Sequence, residues 1–270
     1  MPITEMNGDF LKVPPAILIT GDTGTGKSTA VAEAFHDYKW LVSNPKQLGP
    51  IQARIAKQTE QTPEAERVSW TGSAALFVPE FDSDQSLKKH SAREPFREWI
   101  NKYVSACKAG KVKYRGLVID ELSTLLDWIF QDVAQIHGRT GRGPFDAVAE
   151  IKEIAMRLTQ LPQETGKGVV FISHWQDKKF DERPDVATRG EMRYPAGPTF
   201  PVGTMIRPFC REMDLVWRLV CRDSMSGRIR FFETQPKEDT VLKTKRFGLP
   251  PEVPLDGFRR LIREELGYDV

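Results

Sequence analysis

One eight-residue segment limits what this chain can become more than any other: Gly21-Asp22-Thr23-Gly24-Thr25-Gly26-Lys27-Ser28. It matches G-x-x-x-x-G-K-[ST] at every fixed position, and each position has a physical task. The glycines let backbone N–H groups turn inward around phosphate oxygens. Lys27 offers an ammonium to the β and γ oxygens, the Ser28 hydroxyl is a ligand for Mg²⁺, and Thr29 continues the cradle into a helix whose positive end faces the anion. The flanks suit the pattern. Pro14-Pro15 opens the apolar run Ala16-Ile17-Leu18-Ile19-Thr20, which reads as a buried strand, and Ala30, Val31, Ala34, Phe35 and Tyr38 recur at helical spacing. Average composition produces such a pattern on the order of once in a hundred chains of this length. A glycine turn with an incidental lysine is the competing reading, and the strand-loop-helix context counts against it. The segment predicts a nucleotide site, with ATP and Mg²⁺ as ligands.

A phosphate cradle of this kind needs an acidic residue at the end of a neighbouring strand to hold the metal's water shell. Leu117-Val118-Ile119 reads as a buried strand and ends at Asp120, with Glu121 beside it where a carboxylate can polarise attacking water. Two acids can equally cap the helix that starts at Leu122. Both readings stand at this point. Val169-Val170-Phe171-Ile172 is a third core strand and closes at Ser173-His174, on the edge where ligand-facing side chains gather. His174 is either a γ-phosphate sensor or a half-buried histidine satisfied by backbone. The candidate catalytic residues are therefore Lys27, Glu121 and His174, and the candidate metal ligands are Ser28 and Asp120.

With 270 residues, 40% of them hydrophobic, the chain can bury a full core, and the expectation is one α/β domain over residues 1–270. A net charge of +2 argues against a surface coated in basic residues, so contact with nucleic acid needs a local cluster. Cys107, Cys210 and Cys221 are widely spaced with no C-x-x-C pair, which suits a reducing cytosol better than a disulfide or zinc framework. The first residues lack a basic region followed by an apolar run, and no segment approaches a membrane span. The expectation is a soluble cytoplasmic protein.

The rest of the chain alternates. Trp40-Leu41-Val42 reads as a strand; residues 47–91 are the least readable stretch. Phe96, Trp99, Ile100, Tyr103, Val104 and Cys107 form a helical stripe that ends before Gly110. A helix carrying Leu122, Leu125, Leu126, Ile129, Phe130 and Val133 leads to a second glycine-rich loop, Gly138-Arg139-Thr140-Gly141-Arg142-Gly143. Another helix then bears Phe145, Val148, Ile151, Ile154, Ala155 and Leu158. Alternating strands and helices predict a mostly parallel sheet. Residues 175–211 form a long loop without periodicity. Beyond it, residues 213–270 hold an antiparallel hairpin, Leu215–Val220 against Arg228–Phe232, on the sheet edge and a short helix with Phe258, Leu261, Ile262 and Leu266 on one face.

Three basic clusters invite a nucleic-acid reading. Arg139 and Arg142 lie in the glycine loop, and Lys178 and Lys179 open the long loop, where cations interleave with Phe180, Tyr194, Phe200 and Phe209. Bases can stack on such aromatics while cations hold the backbone. Asp177, Asp181, Glu182, Asp185 and Glu191 nearly cancel that charge, so solvated loops are the equal alternative. Lys243-Thr244-Lys245-Arg246 is the third cluster, again readable as plain surface.

Taken in order, these pieces resemble the compact RecA/RadA-like P-loop ATPases of phages, the single-strand annealing recombinase type. The resemblance rests on Gly21–Ser28, on Leu117–Asp120, on the strand ending in Ser173-His174, on Met213-Asp214-Leu215-Val216, and on Lys243–Arg246 before Phe247-Gly248-Leu249-Pro250. It implies a RecA-like fold and ATP-driven assembly of a homo-oligomeric ring or filament on single-stranded DNA, with a phage single-strand DNA-binding protein as a further partner and no membrane. It also implies that the 138–143 loop and residues 175–211 touch DNA, and that Lys243, Lys245 and Arg246 act in trans on a neighbour's nucleotide. One departure matters. The family carries a catalytic glutamate after the strand that follows the P-loop helix, and Trp40-Leu41-Val42-Ser43-Asn44 offers no acid. Glu121 replaces it, or hydrolysis is weak; Glu80, after Leu76-Phe77-Val78, is the next candidate. A small-molecule or nucleoside kinase using the long loop as a lid, and a nucleotide-switched assembly or virion accessory protein, remain as other readings.

Overall fold

The computed structural model describes residues 14–64, 74–138, 142–177, 179–180, 192–224, 227–236, 240–244 and 249–262. The strands are β1 (Ala16–Gly21), β2 (Lys39–Val42), β3 (Ala74–Leu76), β4 (Gly116–Ile119), β5 (Gly168–Gln176), β6 (Lys179–Phe180), β7 (Met192–Tyr194), β8 (Gly197–Pro198), β9 (Leu215–Ser224), β10 (Gly227–Glu233), β11 (Lys243–Thr244) and β12 (Glu252–Pro254). The helices are α1 (Lys27–Ala34), α2 (Pro45–Gln61), α3 (Arg93–Lys108), α4 (Leu122–His137), α5 (Gly143–Thr165), α6 (Ile206–Glu212) and α7 (Phe258–Arg260). The main sheet has the order β12-β10-β9-β1-β5-β4-β2-β3. From β3 to β9 every neighbouring pair is parallel, while β10 and β12 extend that side antiparallel. This is the expected α/β architecture: a mostly parallel sheet flanked by helices, with an antiparallel edge.

The continuous apolar runs follow from the layering. A strand covered on both faces has no side left for polar alternation. Ala16 and Leu18 of β1 face α3, α4, α5 and α6, whereas Ile17 and Ile19 face α1, α2 and α7. The same split sends Leu117, Ile119, Val169 and Phe171 one way and Val118, Val170 and Ile172 the other. Each such fully buried side chain contributes about 1.5–3 kcal/mol over an exposed one, so the centre of the sheet is the stiff platform on which the strand ends are displayed.

Several expectations need correction. Residues 47–91, the least readable stretch of the sequence, hold most of α2 and the edge strand β3. The α2 start carries a cap, with Asn44 Oδ1 accepting from Lys46 N at 3.0 Å and Pro45 in the first turn. The 175–211 segment begins inside β5 and holds β8 and α6, whose Ile206, Phe209 and Cys210 are buried. The hairpin is present, but its first strand is interior: β9 pairs in parallel with β1, and β10, β12 and the short β11 lie outside it. Phe145 does not join the apolar stripe of α5 and is 77% exposed. For the terminal helix, Phe258, Leu261 and Ile262 are buried, and Leu266 lies outside the described residues.

A buried carboxylate holds the far side of the fold together. Asp132 of α4 is fully buried and accepts backbone N–H groups from His90 (2.6 Å), Ala92 (3.0 Å) and Arg93 (2.8 Å). It satisfies donors at the start of α3, and its charge complements the positive end of that helix. Among the described residues no helix is long and apolar enough to cross a membrane.

Candidate active site

The sheet brings β1, β4 and β5 to one edge with their C-terminal ends together, and the loop after β1 turns there into α1. Two glycines are required by what surrounds them. A Cβ on Gly21 would lie 2.4 Å from the carbonyl oxygen of Leu219, so β9 can approach β1 only because that side chain is missing. Gly26 has φ 95°, a left-handed conformation that side chains resist, and it delivers the chain into the first turn of α1. Thr25 tightens the loop, its hydroxyl donating to Asp22 O at 2.9 Å.

Thr23, Gly24, Gly26, Lys27, Ser28, Thr29, Gln47, Asp120, Glu121, Ser173 and His174 line one cavity of about 200 Å³. Lys27 is 8% exposed, and its Nζ donates to the carbonyl oxygens of Gly21 and Asp22, both at 2.9 Å. Burial lowers its pKa, while Asp120, Asp22 and Glu121 pull it back up. The lysine is therefore a desolvated donor among carboxylates, a setting in which a hydrogen bond to an anion is stronger than in water.

Asp120 and Glu121 are adjacent but differently housed. Asp120 is 1% exposed; its Oδ1 accepts from Glu121 N at 2.9 Å, and its Oδ2 is buried without a hydrogen-bond partner. Burial pushes its carboxyl up to about 7, with the Ser28 hydroxyl and the Lys27 charge working in the opposite direction. An orphaned buried carboxylate oxygen beside a serine hydroxyl suits a hard divalent cation, whose charge would restore the ionised form. These residues fit Mg²⁺: Ser28 and Asp120 would hold it, and it would supply Lewis acidity at the β and γ oxygens.

Glu121 sits at φ 59°, a conformation that costs a residue with a Cβ on the order of 1 kcal/mol and suggests that its placement matters. Its Oε2 accepts from Ser43 Oγ at 3.0 Å and its Oε1 from Gln47 Nε2 at 2.7 Å. The carboxylate is thus fixed at the end of β2, the position where the sequence itself has no acid. Glu80 is not in the cavity; it is exposed and paired with Lys88 at 2.6 Å. His174 stands at the end of β5, the strand beside β4, on the same wall. Its backbone N–H donates to Ser123 Oγ at 3.1 Å, and its carbonyl accepts from Thr20 Oγ1 at 3.0 Å. Burial, then the Lys27 charge, lower its pKa and favour the neutral imidazole.

Residues 14–245 match the AAA_24 family, described as an AAA domain. The chain belongs to that family. The site of this AAA domain is accordingly that of a P-loop ATPase family. A KaiC-like protein, PH0186, from the hyperthermophilic archaeon Pyrococcus horikoshii OT3 is 16% identical over 89% of each chain, with a TM-score of 0.39, too low to carry further inference. No curated protein matches the chain.

Around the AAA domain's cavity, sequence reasoning overlooked Ser43 and Gln47, which hold Glu121, and two arginines of the hairpin. Arg218 lies 4.3 Å over the Trp175 ring and pairs with Asp22 at 3.4 Å and Glu233 at 3.8 Å. Arg230 reaches the loop at Gly26, where an added Cβ would meet its Nη1 at 3.1 Å. Of the basic residues singled out for DNA or trans contacts, those among the described residues lie elsewhere. Arg142 is exposed at the start of α5, and Lys179 is in β6. Lys243 donates to the carbonyl of Arg211 from β11, beside Val216 and away from the loop. Arg139, Lys178, Lys245 and Arg246 lie outside the described residues.

Proposed function

We propose that this AAA domain binds ATP with Mg²⁺ and hydrolyses it, using the cycle to act on single-stranded DNA in phage-type recombination or repair as a homo-oligomer. The observation that carries the ATPase reading is the pairing of two unlike carboxylates against Lys27. Asp120 has a buried oxygen free to meet a metal, and Glu121 is aimed by Ser43 and Gln47 at the same cavity. In this reading Glu121 orients and deprotonates the attacking water, the Lys27 ammonium holds the β and γ oxygens, and neutral His174 senses the γ-phosphate from the end of β5.

The DNA reading draws support from the turn into α5. Exposed Arg142 and the 77% exposed Phe145 stand three positions apart in sequence at the end of the glycine loop. An aromatic ring left in solvent can stack on a base while a nearby cation holds the backbone.

The test is ATP hydrolysis with and without single-stranded DNA, alongside a measurement of particle mass. Mg²⁺-dependent turnover that rises on adding oligo(dT), together with a larger particle, is the expected result. Turnover as a monomer indifferent to DNA favours the kinase reading, and binding without turnover favours a nucleotide-switched assembly protein.

A further inference from the structure

The β9–β10 hairpin is longer than the sheet it belongs to. Leu219 stands beside Gly21, where β1 ends, yet β9 continues to Ser224 before the turn, about 17 Å farther at roughly 3.3 Å per residue. The overhanging ribbon flanks the glycine loop on the side away from β4 and β5, and so away from Asp120, Glu121 and His174. Its register fixes which side chains face the loop. Phe232, opposite Leu219, is buried in the cluster containing Val31 of α1 and Phe35 just beyond it. Side chains alternate along a strand, so Arg230 and Arg228 share that face. Arg230, opposite Cys221, stands one pleat above the level of Gly21, and its guanidinium lies against Gly26, the residue before α1. One pleat farther out, Arg228 pairs with Asp223 at 3.3 Å.

We infer that Arg230 is a phosphate-binding residue supplied in cis, closing the glycine loop from the hairpin side over the α- and β-phosphates. This rests on the nucleotide-site reading above and extends it. Phosphate bound at the N-terminus of α1 must pass the Gly26 backbone, and the Arg230 guanidinium is the cation already resting there. Guanidinium geometry favours two parallel N–H···O bonds to phosphate oxygens. Because the ribbon lies opposite the metal side, the charge it meets is present in ATP and ADP alike. Arg230 therefore contributes to ground-state binding and spares the chemical step.

The test is Arg230→Gln, titrated calorimetrically with ADP and with a non-hydrolysable ATP analogue, with kcat measured at saturating ATP. Losing a charge-assisted bond to phosphate weakens both nucleotides by about tenfold or more, by similar factors, with kcat within about threefold of wild type. Arg228→Gln is the control and should bind as wild type. Arg230→Lys should fall between, and it stands in for the glutamine variant should that fail to fold. Unchanged ADP affinity, a loss confined to the ATP analogue, or a fall in kcat with affinity intact each overturn the inference. Lys27→Ala run in parallel separates the two readings. If only the Arg230 variants bind normally, this inference alone fails; if Lys27→Ala also binds normally, the nucleotide site itself is misplaced.

Discussion

The two flanks of the glycine loop carry opposite chemistries. Toward β4 and β5 stand Asp120, Glu121, Ser173 and His174, a wall of carboxylates and neutral polar groups. Toward β9 and β10 stand Arg218 and Arg230, with Trp175 stacked beneath the former. Lys27 lies between them, its Nζ donating to the carbonyl oxygens of Gly21 and Asp22. Charge moves during phosphoryl transfer at the γ-phosphate and the attacking water, while the α- and β-phosphates carry theirs throughout. The acidic wall should therefore govern turnover and the cationic ribbon should govern affinity. The difference also exposes what the acidic wall lacks: among its described residues only Lys27 brings a positive charge to the transferring group.

The largest expected effect would break that picture by supplying the missing charge from another subunit. Lys243 pairs at Val216, three residues below the level of Gly21, about 10 Å down the sheet. It is badly placed to reach its own nucleotide, and the trans role proposed for Lys243, Lys245 and Arg246 requires a neighbour. Cations supplied across an interface are worth roughly 10³ in rate. Replacing all three by alanine should leave ATP binding by the monomer intact, while DNA-stimulated hydrolysis and nucleotide-dependent assembly fall together. Mixing this variant with Lys27→Ala subunits should restore activity at mixed interfaces; co-assembled mixtures that stay inactive rule the trans role out. A plain DNA-contact patch gives instead weaker DNA affinity with a shallower salt dependence and unchanged basal hydrolysis.

Next in size is Glu121→Gln, which keeps the shape and removes the base. Hydrolysis should fall by about 10²-fold or more, with ATP affinity retained. Unchanged turnover would take the base away from the acidic wall altogether. Lys27→Ala follows. Since Lys27 serves both flanks, it should weaken ATP and ADP binding by roughly 10–100-fold and lower kcat as well, with the fold intact by circular dichroism. Nucleotide affinity equal to wild type would dissolve the comparison, because neither flank would then face a phosphate.

What was legible in the sequence followed from locality. The loop, its flanking strand and helix, and Asp120 at a strand end are all set by residues within about ten positions of one another, where hydrophobic period and strand exit are visible. The α2 helix escaped because it buries only Ile51 and Ile55 and is otherwise polar, although Asn44-Pro45 is a readable helix start. Phe145 fits the helical period of α5, but at its first turn no element among the described residues buries it, so a periodic residue ends exposed. Arg230 was out of reach for a different reason. Its place over Gly26 depends on the register of β10 on β9 and of β9 on β1, which no local pattern encodes. The partners of Glu121 are equally remote, with Ser43 and Gln47 lying 78 and 74 residues away.

Those partners carry the smallest prediction and the sharpest one for the acidic wall. Glu121 is held by one hydroxyl and one amide at 3.0 and 2.7 Å on a backbone at φ 59°, so its aim depends on both donors. Removing either leaves the carboxylate present but free to rotate, and a misplaced base loses rate without losing substrate. Ser43→Ala and Gln47→Ala should each lower kcat by about three- to tenfold with KM for ATP unchanged. A merely structural role would show as a drop in melting temperature or a rise in KM. The decisive measurement is the cycle with Glu121→Gln. Should Ser43 and Gln47 act only by orienting that carboxylate, their substitution costs nothing further once the base is gone, and the effects are strongly non-additive. Full additivity in the Glu121→Gln background would mean that both side chains reach the nucleotide or the water on their own account, and Glu121 would no longer be the group they serve.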